Sequence, residues 1–148
     1  MSEAARGKFV AKYQSFAELG GPAHGASRVA ALRRELAARD LAGFIIPRAD
    51  EHQNEYVPAA AERLLWLTGF AGSAGMAIVL RKSAALFVDG RYTLQAPEQV
   101  DAKIFKIRHV VDEPATAWIE SHLKPGEMLG YDPWLHTPAA VERFTNSG

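Results

Sequence analysis

Three short stretches carry residue types that could do chemistry. The first is Leu67-Thr-Gly-Phe-Ala-Gly-Ser-Ala-Gly75, which sets three glycines around a serine just ahead of an apolar run. A nucleophile elbow needs G-x-S-x-G after a strand and before a helix, so that the turn lifts the hydroxyl above the sheet. Here Ala71 replaces the first glycine, and the stretch follows a helix-like segment and precedes a strand-like one. The order is reversed, and Ser73 is not expected to act as a nucleophile. The three-residue spacing of Gly69, Gly72 and Gly75 matches neither G-x-G-x-x-G nor a P-loop. The glycines are read instead as permitting positive φ and close backbone approach where a helix hands over to a central strand.

The second stretch, Asp50-Glu51-His52-Gln53-Asn54-Glu55, is the one dense mix of carboxylate and imidazole. Asp50, His52 and Glu55 are donors a divalent ion could use, but consecutive loop residues rarely converge on one point, so a solvated loop is expected. The five histidines (24, 52, 109, 122 and 136) are otherwise scattered, with no H-E-x-x-H motif. The third stretch, Asp89-Gly90-Arg91-Tyr92, follows a strand-like run, where open α/β sheets place ligand-contacting loops. Arg91 can meet a carboxylate through two parallel hydrogen bonds, and Asp89 can pair with it or cap the turn. Of the tryptophans, Trp66 and Trp118 fall on apolar helical faces and are read as core, while Trp134 sits in a turn between Pro133 and Leu135 and is expected to be partly exposed.

The elements that must position these residues follow from pattern. Residues 1–25 are read as an N-terminal tail with one short helix over residues 8–19. Ser27 is an expected N-cap for a helix presenting Val29, Leu32 and Leu36 on one face. Phe44-Ile45-Ile46 reads as a strand stopped by Pro47, and residues 60–67 as a helix, with a polar loop over 48–58 between them. Residues 76–80 and 84–88 are continuous apolar runs around Arg81-Lys82-Ser83, which predicts a central hairpin buried on both faces. Residues 104–110 alternate, placing Phe105 and Ile107 opposite Lys106 and Arg108 in a strand nearer an edge. A helix then starts at Pro114, with Ala115, Trp118, Ile119 and His122 at helical spacing. A short strand over 128–131 and a last helix opened by Thr137 and Pro138, carrying Val141 and Phe144, complete the pattern. Alternating strands and helices with a tight hairpin argue for an α/β domain over residues 26–148 with a mixed central sheet flanked by helices.

Composition limits the partners. Lys plus Arg equals Asp plus Glu at 17 each in 148 residues, so no basic face for nucleic acid or an anionic membrane is expected. With no cysteine there is no disulfide, thiolate nucleophile or Cys-based metal site, which fits a reducing, cytoplasmic setting. Residues 1–25 carry Arg6, Lys8, Lys12 and Glu18 without an apolar run of signal-peptide or membrane-span length.

Four motifs in order, Arg48-Ala-Asp-Glu-His-Gln-Asn-Glu-Tyr56, Glu62-Arg-Leu-Leu-Trp-Leu-Thr-Gly-Phe-Ala-Gly-Ser-Ala-Gly75, Val88-Asp-Gly-Arg-Tyr-Thr-Leu-Gln95 and Gly130-Tyr-Asp-Pro-Trp-Leu-His-Thr137, together resemble the N-terminal domain of Xaa-Pro aminopeptidases. These are the aminopeptidase P group of the creatinase and prolidase superfamily, and the resemblance runs from about Ser27 to Phe144. It implies a ribonuclease-H-like α/β fold. It also implies a metallopeptidase whose separate C-terminal domain, absent from this chain, holds two divalent metals, typically manganese, on two Asp, one His and two Glu. The resemblance therefore implies no catalytic residue and no metal or other cofactor in these 148 residues. The whole protein would release an N-terminal residue preceding proline from peptides and form a homo-oligomer such as a dimer. Matched motif to motif, Arg91 and His52 are the expected substrate-facing side chains, on a domain that contributes oligomer contacts and lies at the access side of the cleft. The alternative within the superfamily is a catalytically inactive peptide-binding module.

Overall fold

The computed structural model describes residues 20–146. Five strands form one sheet: β1 (Gly43–Pro47), β2 (Met76–Leu80), β3 (Ala84–Val88), β4 (Lys106–His109) and β5 (Leu129–Tyr131). Their order is β4-β3-β2-β1-β5. β2 pairs antiparallel with both β1 and β3, whereas β4 joins β3 and β5 joins β1 in parallel. The helices are α1 (Gly25–Ala38), α2 (Arg63–Thr68), α3 (Gln95–Gln99), α4 (Ala115–His122) and α5 (Pro138–Thr145).

The apolar runs of β2 and β3 explain the layering. A strand's side chains alternate between faces, so a continuous run must be covered twice. Ala77, Val79, Leu86 and Val88, with Ile46 of β1, form one cluster with Val29 of α1, Leu64 and Leu67 of α2, and Ala96 of α3. Ile78, Leu80, Ala85 and Phe87, with Ile45 of β1, form the other with Trp118 and Ile119 of α4, against which Phe144 of α5 packs. Trp118 meets Phe87 edge to face at 5.8 Å between centroids, an arrangement that suits two aromatic quadrupoles. At the edge, Phe105 is buried and Lys106 exposed, as the alternation requires.

Several details differ from the sequence reading. The expected helix over residues 8–19 lies outside the described residues. Of the stretch read as tail, Gly21 donates to the Gly69 carbonyl at 3.0 Å, and α1 begins at Gly25. Ser27 is not the N-cap: it lies inside α1 and donates its hydroxyl to the His24 carbonyl at 3.0 Å. Pro22, with φ preset for a helical start, opens a 3-10 turn that carries the chain into α1 early. The expected helix over 60–67 is divided into a turn at Ala59–Ala61 and α2, because Glu62 leaves helical geometry at ψ 58°. Pro97 hid α3, but a proline in the first turn removes only an amide that has no intrahelical partner.

Trp66 also departs from expectation. It is 56% exposed, with the Arg28 guanidinium 4.6 Å above its ring, whereas Trp118 is 2% exposed. Trp118→Ala should therefore cost about 3–5 kcal/mol in chemical denaturation, and Trp66→Ala less than about 1 kcal/mol. Equal losses at the two positions would contradict this layering.

Candidate functional site

Because β2 alone runs against its neighbours, β1, β3, β4 and β5 all end at one edge of the sheet, where the chain also enters β2. The Asp50–Glu55 and Asp89–Tyr92 stretches therefore emerge there beyond the carboxyl ends of β1 and β3, and the glycine stretch reaches the same place from α2 on its way into β2.

The glycine loop is built around Phe70. Gly69 closes α2 in the left-handed region at φ 82°, and a Cβ there would fall 1.9 Å from the Gly21 carbonyl oxygen. Gly72 and Gly75 have ordinary φ; their role is close approach, since Cβ atoms there would stand 2.2 and 3.0 Å from the Phe70 ring. Phe70 in turn packs edge-on against Tyr92 at 5.2 Å. The Tyr92 hydroxyl accepts from the Ser73 amide at 2.8 Å and contacts the Ser73 hydroxyl. Ser73 thus has a phenol for a neighbour rather than the imidazole a nucleophile needs, and its amide fastens the loop to the turn after β3.

Arg48, which sequence reasoning quoted without assigning it a role, joins this loop to the one after β1. Its Nη1 donates to the carbonyls of Glu55 and Ser73, both at 2.9 Å, and its Nη2 lies 3.7 Å from the Glu62 carboxylate. Both side chains of that ion pair are largely buried, at 13% and 23% exposure. The available signal was a single arginine placed directly after a strand-ending proline and ahead of an acidic loop.

Asp50 organises the β1 loop. It is buried, and its carboxylate accepts from the amides of His52 and Asn54 at 2.9 and 3.1 Å and from the Asn54 side chain at 3.2 Å. The Asn54 amide bond leads in holding its pKa below the ordinary 3.8, outweighing the upward push of burial. Gln53, at φ 55°, donates its side-chain amide to the carbonyls of Asp50 and Leu135, each at 3.1 Å, and so ties the loop to the turn at Pro133–Leu135.

Between that loop and that turn lies a cleft of about 460 Å³ whose wall includes Asp50, Glu51, His52, Arg63 and Trp134. The His52 ring is outward, 72% exposed and 3.3 Å from Glu51. Trp134 is also 72% exposed. Asp132 holds its turn by accepting from the Trp134 amide at 2.9 Å and pairing with Arg63. Burial raises the Asp132 pKa, but the Arg63 and Trp134 bonds outweigh it and the net shift is downward.

At Arg91 both alternatives hold together. Its Nη2 and Nε donate to the Asp89 carboxylate at 2.8 and 3.1 Å, and its amide donates to the same carboxylate at 3.0 Å, capping the turn. The Arg91 bonds lower the Asp89 pKa, and Asp89 raises that of Arg91. Arg91 does not line the His52 cleft. The two residues share an edge of the sheet, with β2 between the strands that carry them. No group of three or more His, Asp or Glu among the described residues is placed to hold a metal ion. In particular Asp50 spends its oxygens on amides, so these residues do not fit a metal pair.

Comparison with known proteins defines the class. The creatinase/prolidase N-terminal domain family matches residues 28–148, and the chain belongs to that family. Relatives by sequence are peptidases. The chain is 38% identical over 117 residues to Xaa-Pro aminopeptidase 2 of Rattus norvegicus, covering 79% of this chain and 17% of that protein. It is 40% identical over 105 residues to the Homo sapiens Xaa-Pro aminopeptidase 2, covering 71% and 16% respectively. The chain thus spans under a fifth of the length of these relatives. An X-prolyl aminopeptidase from Caenorhabditis elegans, described as a cytosolic enzyme with a di-nuclear active site, superposes with a TM-score of 0.73 at 29% identity over 82% of this chain and 22% of its own. The N-terminal domain of the cytoplasmic peptidase PepQ from Mycobacterium tuberculosis shares the fold, with a TM-score of 0.60 at 23% identity over 82% and 84%. No helix among the described residues is long and apolar enough to cross a membrane.

The lowered Asp50 pKa has a testable consequence. A depressed folded-state value contributes stability that is fully present above the ordinary 3.8 and is lost as pH falls through the lowered value. Asp50→Asn should therefore destabilise the chain at pH 7, and the gap to wild type should shrink in strong acid. Denaturation midpoints that differ equally at both pH values would contradict the assigned charge.

Proposed function

We propose that the chain is the non-catalytic N-terminal domain of a metal-dependent Xaa-Pro aminopeptidase, lying at the substrate-access side of the active site. The observation that carries this reading is the gathering of all four motifs at one edge of the sheet in a chain whose relatives by sequence are Xaa-Pro aminopeptidases. The whole protein releases an N-terminal residue that precedes proline, acts in the cytoplasm and assembles as a homo-oligomer to which this domain contributes contacts. Its two divalent metals, manganese in this reading, belong to a separate catalytic domain.

His52 and Arg91 are the substrate-facing side chains in this proposal. His52 is outward on a cleft whose floor is the buried Asp50, so its ring is available to orient a passing peptide. Arg91 is held in position by Asp89, with its guanidinium 5.2 Å from the Tyr92 ring centroid and half of it exposed or more. A peptide carbonyl can be met by such a guanidinium without breaking the Asp89 fork, because Arg carries five N–H donors.

In the full-length peptidase, Arg91→Ala and His52→Ala should each raise KM more than they lower kcat, as loss of contacts made equally to ground and transition states requires. A several-fold rise in KM at near-constant kcat is the expected result. An unchanged KM for both variants would remove these residues from the substrate path.

A further inference from the structure

The turn that carries Arg91 is closed on itself. Asp89 accepts from the Arg91 amide and guanidinium, the Tyr92 amide donates to the Asp89 carbonyl at 3.1 Å, and the Thr93 hydroxyl donates to the Gly90 carbonyl at 3.1 Å. These bonds fix Arg91 within its own turn. They do not fix that turn relative to the His52 loop, which leaves the sheet from β1, with β2 between the two strands. Two side chains meet one ligand well only when the distance between them is held by the groups that support them.

Tyr92 reaches out of the turn by two routes. Its hydroxyl accepts from the Ser73 amide at 2.8 Å, on a loop that is itself fastened: the Phe70 amide donates to Thr68 Oγ1 at 3.0 Å and the Ala71 amide to Gln99 Oε1 at 2.9 Å. The Ser73 carbonyl accepts from Arg48 Nη1, which also donates to the Glu55 carbonyl in the His52 loop. Ser73 therefore joins the loops on either side of β2, one through its amide and the other through its carbonyl. The Tyr92 ring is the second route. It is buried against Phe70, and the Arg91 guanidinium carbon lies 5.2 Å from its centroid, within range of cation–ring attraction.

We propose that Tyr92 is a positioning residue, which holds the Arg91 guanidinium at a fixed spacing from the His52 loop through the Ser73 bridge. Its hydroxyl is spent on Ser73 and its ring is buried, so it acts through Arg91 rather than on the peptide. The inference rests on the peptidase reading, in which Arg91 and His52 face one substrate. Without Tyr92, Arg91 keeps its Asp89 fork but loses its place relative to the neighbouring loops, so substrate affinity responds and the chemical step does not.

The test is steady-state kinetics of the full-length peptidase carrying Tyr92→Phe or Tyr92→Leu, each with Arg91 present and in an Arg91→Ala background, beside the ¹⁵N NOE of the Arg91 Nε–H in the labelled chain. With Arg91 present, Tyr92→Leu should raise KM about two- to fivefold at near-constant kcat, the scale of an exposed cation–ring contact. Tyr92→Phe, which keeps the ring and loses the hydroxyl, should raise it less, and it carries the test alone if Tyr92→Leu does not fold. The NOE should fall in the same order, and both KM effects should vanish once Arg91 is alanine. KM effects of equal size in both backgrounds would make Tyr92 merely structural and overturn the proposal. A raised KM in Arg91→Ala beside wild-type KM in the Tyr92 variants would overturn this role alone, whereas an unchanged KM in Arg91→Ala would overturn the reading of Arg91 and this role with it.

Discussion

The structure depends on burying the β2–β3 hairpin on both faces. Its ten strand residues are all apolar, and each neighbouring pair points in opposite directions, so helices must cover the sheet above and below. β2 alone runs against the others, because β1 and β3 are its antiparallel partners and β5 and β4 join them in parallel. That single reversal sends the loops after β1, β3 and β5 to the same edge and brings the glycine loop back to it. Core packing, rather than any interaction among the polar residues, is what assembles the candidate site.

At that edge the charges are settled locally. Asp50 is held by loop amides, Asp89 by Arg91, Asp132 by Arg63 and the Trp134 amide, and Glu62 by Arg48. Each carboxylate stiffens one loop, and Arg48, Gln53 and Tyr92 link the loops to one another. Among the side chains left turned outward by this arrangement are the His52 imidazole, the Trp134 indole and the Arg91 guanidinium. A rigid platform with few presented side chains suits a surface that positions a ligand, since ordering costs have been met in folding rather than at binding.

Much of this was legible in the sequence. The hairpin, the mixed sheet and the edge position of β4 follow from runs and alternation that depend only on which residues are apolar, and the helix opened by Thr137 and Pro138 follows from cap chemistry, with Thr137 accepting from Ala140. Trp66 was misread because an indole on a helical stripe is indistinguishable in one dimension from a core residue, and exposure depends on what another segment leaves uncovered. Positive φ and close approach are both used by the glycines, but the spacing does not divide them: Gly69 alone uses positive φ, and the bulk that excludes a Cβ at Gly72 and Gly75 is the Phe70 ring, whose direction the sequence does not show. Arg48 and Gln53 act through carbonyls far along the chain, at Ser73 and Leu135; backbone acceptors are identical at every residue and leave no trace in sequence.

The central claim of the proposed function is that this chain offers a peptide-facing surface while none of its described residues form a group able to hold the metal ions that ionise water. A two-metal centre needs several carboxylate and imidazole donors converging at one point, and Asp50, Asp89, Asp132 and Glu62 are instead held by amides and arginines. The direct measurement is a peptidase assay of the purified 148-residue chain with Xaa-Pro peptides and added Mn²⁺, controlled by a mock purification. No release of the N-terminal residue above that control is the predicted result; metal-dependent release in proportion to the chain's concentration would contradict it.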